Sequence, residues 1–94
     1  MGLVTFSVGK KEKHVVKFEY SKIMNTYKIS VDGFLIQKGF YFLADGTRNF
    51  DFDIGEEQTQ NIRLIHKRRI FLTFFLPSVL DVWVDNKPFK SFKL

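Results

Sequence analysis

His14-Val15-Val16-Lys17-Phe18-Glu19-Tyr20 alternates so that Val16, Phe18 and Tyr20 share one face and Lys17 and Glu19 the other. An extended chain, with its two-residue period, separates the faces in this way; a helix of 3.6 residues per turn would scatter the same side chains around its circumference. The pattern continues outward from there. Tyr27-Lys28-Ile29-Ser30-Val31-Asp32 turns Tyr27, Ile29 and Val31 inward, and Phe50-Asp51-Phe52-Asp53-Ile54 sets two carboxylates towards water beside three apolar groups. Turn-forming pairs punctuate these runs at Asp32-Gly33, Asp45-Gly46, Gly55-Glu56, Pro77-Ser78 and Asp85-Asn86. No stretch reads as a helix. Of the 94 residues, 36 are Val, Ile, Phe, Tyr, Trp or Thr and only one is Ala, a balance that favours strands. Short strands at short spacing predict an all-β chain folded as an antiparallel β-sandwich.

The chain also repeats itself. Phe6-Ser7-Val8-Gly9 returns 46 residues later as Phe52-Asp53-Ile54-Gly55, and at that offset Val16-Lys17-Phe18 matches Ile62-Arg63-Leu64. Ile29-Ser30-Val31-Asp32 matches Val82-Trp83-Val84-Asp85 at an offset of 53, so the second copy carries seven extra residues. Each copy, about 3–47 and 48–93, reads strand, Gly turn, strand, strand, acidic turn. Neither could bury its apolar face alone, because isolated hairpins are marginal in water. Stacking them predicts one sandwich domain of two similar multi-strand halves.

Composition bounds the function. Ninety-four residues suit a single domain. The net charge of +5 is spread over both halves without a basic tail, which favours anionic partners or solubility and says nothing of fold. No apolar run approaches the roughly 20 residues of a membrane helix. Zero Cys removes disulfides, thiolate metal ligands and thiol nucleophiles, and with no Asn-x-Ser/Thr sequon it leads to the expectation of a cytoplasmic protein with no membrane partner.

Taken together, the runs 14–20, Ser30-Val31-Asp32-Gly33, 40–42, 50–55 and Asp81-Val82-Trp83-Val84-Asp85-Asn86-Lys87 resemble the Fas apoptotic inhibitory molecule family. The resemblance spans about residues 6–92 at low identity, with Phe40 where Trp is expected. It implies an antiparallel β-sandwich, most like the N-terminal of the two tandem domains usual in the family. It further implies a cytosolic interaction protein without catalysis, linked to survival signalling and to suppression of protein aggregation.

Three stretches are candidate sites. His66-Lys67-Arg68-Arg69 is the densest basic cluster and is expected at a hairpin tip between strands at 61–66 and 70–76, where four donors could hold phosphates and nearby aromatics could stack on bases. The bland reading is a solvated tip whose charges discourage edge pairing. Lys10, Lys11 and Lys13 form the matching turn in the first copy, where the second has Glu56 and Glu57, which argues against a symmetric phosphate groove. Phe71-Leu72-Thr73-Phe74-Phe75-Leu76 is apolar on both faces: either a central strand beneath the residues around 77–80, or a dimer interface or groove for a client strand centred on Phe71, Phe74 and Phe75. Trp83 takes the place of Ser30 in the repeat and should point away from Val82 and Val84, as an interface anchor or as cover for a sheet edge.

Catalysis and cofactors find little footing. Asp51 and Asp53 lie on a wet strand face, which does not separate acid from base roles. Asp45-Gly46-Thr47 with Asp51 falls short of a calcium loop, and His14 and His66 lack the spacing of a metal centre. There is no Gly-x-Ser-x-Gly or phosphate-cradling glycine loop. The expectation is a non-enzymatic protein-interaction module without cofactor or metal, binding a partner or client protein through an apolar strand edge. The alternatives are a single-stranded nucleic-acid binder and a homodimeric structural protein.

Overall fold

The computed structural model describes residues 2–41, 46–68 and 78–94. Among them run eight strands: β1 (Gly2–Val8), β2 (His14–Ser21), β3 (Thr26–Val31), β4 (Phe34–Phe40), β5 (Thr47–Ile54), β6 (Gln60–Lys67), β7 (Val79–Val84) and β8 (Lys87–Lys93). They form two antiparallel four-stranded sheets, ordered β1-β2-β3-β4 and β5-β6-β7-β8. No helix among the described residues is long and apolar enough to cross a membrane.

The inward residues are those the alternation selects. Val16, Phe18, Ile29, Ile62, Leu64 and Leu80 are fully buried, and the sheets meet through ring contacts such as Phe18–Phe50 at 5.9 Å and Phe6–Phe92 at 6.0 Å. At about 25 cal/mol per Å² of apolar surface, fully burying one such side chain contributes on the order of 2 kcal/mol.

The repeat is a structural one. Val8↔His14 pairs in the first sheet as Ile54↔Gln60 does in the second, and Val16↔Val31 as Ile62↔Val84. Each sheet carries a bulge at the same place, beside Ile29/Ser30 and beside Val82/Trp83, which leaves Ile36 and Phe89 as the extra residues on β4 and β8. The tight turns match too. Asp32 and Gly33, and likewise Asp85 and Asn86, all have positive φ, as a two-residue turn between right-twisted strands requires. Asp32 Oδ1 accepts the Val15 N–H at 2.8 Å, and Asp85 Oδ1 accepts the Asn61 N–H at 2.9 Å. Gly9 and Gly55 sit at φ of 100° and 101°, and a Cβ on either would fall 2.0 or 2.1 Å from the carbonyl oxygen of Glu12 or Gln58.

One expectation about connectivity is corrected. The ladder partners of β6 are β5 and β7, with Lys67 opposite Val79, and the expected partner strand at 70–76 falls outside the described residues. Val79 and Leu80 belong to β7, with Leu80 fully buried, so they do not form a covering segment. The extra residues of the second copy lie between these strands, and Phe71, Phe74 and Phe75 fall outside the described residues.

Candidate protein-docking edge

The basic run is dispersed by the fold. His66 shares the inward parity of Ile62 and Leu64 and is fully buried, so its expected place on a solvated hairpin tip is corrected to a place in the core. It stands where the first copy has Tyr20, and the two rings meet at 4.5 Å. It lies 2.8 Å from Tyr41 Oη and 2.9 Å from Ser78 Oγ, contacts that a neutral imidazole satisfies with one nitrogen accepting and the other donating. Burial, aided by the nearby Arg68 charge, pushes its pKa down to about 4, and burial raises that of the Tyr41 hydroxyl. Ser78 and His66 are paired like a nucleophile and its base, yet both are buried.

Lys67 is exposed and pairs with Asp81 at 2.9 Å. Arg68 folds back over the Tyr41 ring, its guanidinium carbon 4.6 Å from the centroid, and donates to Asn25 Oδ1 at 2.7 Å. Arg69 lies outside the described residues. Hence the run presents no contiguous row of exposed cations over 66–68, because a strand of period two turns every second residue inward.

At the opposite end of the sandwich, His14 lies between two carboxylates, with Nδ1 2.6 Å from Asp32 Oδ2 and Nε2 2.5 Å from Glu12 Oε2. Those hydrogen bonds, Asp32's first, raise its pKa, and the same bonds lower those of Asp32 and Glu12. Glu12 also accepts the backbone N–H groups of Glu56 and Glu57 at 2.9 and 3.1 Å, which ties the two Gly turns together across the sheets. These oxygens are thus already engaged, and no group of three or more His, Cys, Asp or Glu among the described residues could hold a metal ion. Asp51 and Asp53 are likewise occupied, both accepting from Asn61 Nδ2 at 2.5 and 3.0 Å.

Trp83 lies on the outer face of the second sheet, opposite Val82, between Arg63 of β6 and Pro88 of β8. It is half-buried and lines a shallow groove with Asp81, Pro88 and Lys90.

Among the described residues, a further apolar exposure lies elsewhere. On the edge strand β4, Phe34, Leu35, Ile36 and Phe40 are 76%, 51%, 46% and 60% exposed. The edge strand β8 occupies the same place in the second half and has the same profile, six of seven residues exposed in each. The chemistry differs. Lys87, Pro88 and Lys93 of β8 stand where β4 has Phe34, Leu35 and Phe40. Lysines and proline are the devices that keep a free edge from pairing; β8 carries both, whereas β4 carries Lys38 alone. Sequence reasoning passed over β4 because Phe34-Leu35-Ile36 does not alternate. The available signal was the comparison of 34–40 with 87–93 at the repeat offset.

No protein family, curated protein or solved structure matches the chain.

Proposed function

We propose that this chain is a non-enzymatic protein-interaction module of the cytoplasm that holds an extended segment of a partner or client protein along β4. The observation that carries the reading is the contrast between the two equivalent edges, one blunted by lysine and proline and the other largely apolar and, among the described residues, paired to no strand beyond β3. An unpaired edge offers a row of N–H and C=O groups to an incoming strand, and exposed side chains beside it supply apolar area. The lack of Cys suits a reducing compartment. The family resemblance fits the same role: its quoted runs fall on β2, β5, β7 and the Asp32-Gly33 and Asp85-Asn86 turns, with the run 40–42 starting at the end of β4 and its residue 42 outside the described residues. Trp83 would then be a packing residue of the second sheet and not the anchor, and the docking edge is 34–40 in place of the apolar run at 71–76.

The test copies β8 onto β4. Phe34→Lys/Leu35→Pro places in β4 the residues that the equivalent positions of β8 already tolerate, so the fold is retained. Reduced, carboxymethylated lactalbumin, an unfolded acidic protein, should shift amide resonances of 34–40 in the wild type and leave those of the double variant unmoved. Binding that survives the double substitution, shifts confined to another strand, or no binding at all would each refute the proposal.

A further inference from the structure

We infer that the segment held by β4 carries a carboxylate near its middle, flanked by apolar or small side chains, an inference that rests on the docking reading above. Lys28 of β3 and Lys38 of β4 stand directly opposite each other, both exposed, on the outer face of the first sheet. Like charges in that relation destabilise a sheet unless something neutralises them. Among the described residues neither lysine has an ion-pair partner, whereas Lys17 pairs with Glu19 at 3.1 Å and Lys67 with Asp81 at 2.9 Å.

The second half again acts as an internal control. The positions equivalent to Lys28 and Lys38 are Asp81 and Ser91, which satisfy each other through a 2.6 Å hydrogen bond. In the first half Glu19 of β2 faces Lys28 and pairs with Lys17, which leaves Lys38 at the edge with no carboxylate opposite it among the described residues, where the second half closes the same spot upon itself. A strand laid beside β4 brings one side chain opposite Lys38 on the outer face, and a carboxylate there meets both ammonium groups. Leu35 lies on the same face towards one end of β4. Ile23 and Met24, 88% and 72% exposed, lie towards the other, their turn held to the end of β4 by the Tyr41 N–H bond to Asn25 O at 2.8 Å. A segment of about seven residues, on the order of 23 Å long, covers the edge. A second copy of the chain suits it poorly, since it would bring a second Lys28–Lys38 pair and a second net charge of +5 to the same seam.

Three peptides decide the matter: Ser-Thr-Val-Thr-Glu-Thr-Val-Thr-Ser and its versions with Gln or Lys in place of Glu. Each is titrated into the labelled chain at low and physiological salt, with amide shifts reporting the place and the affinity. The Glu peptide should bind along 34–40 about fivefold more tightly than the Gln peptide at low salt, with the gap narrowing as salt rises. Lys38→Glu should reverse the order and favour the Lys peptide. Equal affinity of all three along β4 would leave the docking reading standing and overturn the carboxylate. No binding along β4 by any of them would overturn both. Shifts of 34–40 that appear on concentrating the chain alone would make a second copy the occupant and end the inference.

Discussion

His66 is a basic residue by sequence and a core residue by position. It is held neutral because the charged form would be stranded away from water, and its two neighbours, Tyr41 and Ser78, use both ring nitrogens. Removing one neighbour therefore costs more than the bond. Tyr41→Phe keeps the ring that packs against Tyr20, Tyr27 and Arg68 and leaves Nδ1 of His66 buried without its partner. A loss of about 1–3 kcal/mol in unfolding free energy is expected, measured by urea titration at neutral pH. A change below about 0.5 kcal/mol would show that the hydrogen bond has no net worth.

Edges set the behaviour of the elements. β4 and β8 have the same register, bulge and exposure, and differ mainly in side chains. The comparison works in reverse as well. Lys87→Phe/Pro88→Leu gives β8 the residues of β4 and removes both blunting devices at that end. The double variant should keep its melting temperature within a few degrees and acquire concentration-dependent association or client binding at 87–93. Sedimentation and amide shifts read the outcome; a variant that behaves like the wild type would mean that side-chain chemistry does not distinguish the two edges.

For the whole molecule, two histidines at opposite ends of the sandwich oppose each other in pH. His66 has a folded pKa of about 4 against an ordinary value of 6.5, so its contribution is complete above 6.5 and lost as pH falls towards 4, about 3 kcal/mol in all. His14 is shifted upward, so its contribution is complete below 6.5 and lost as pH rises through its folded value. Glu12 and Asp32 are shifted downward and add to the acid loss. Stability should peak near pH 6.5, and His14→Gln should flatten the decline as pH rises above it. An unchanged decline in that variant would remove His14 from the account. Much of this was legible in the sequence: the strands, the doubled half and the acidic turns follow from two-residue alternation and an offset, which are local properties of an extended chain. Even His66 was readable, since Ile62, Leu64 and His66 share one parity; the adjacent Lys67, Arg68 and Arg69 drew it into a supposed loop. Tertiary structure alone decided that His66 is enclosed between Tyr41 and Ser78, that Arg68 lies over Tyr41, and that β4 and β8 are edge strands of their sheets. Such outcomes depend on how two sheets stack and where their edges end, and no local period encodes that.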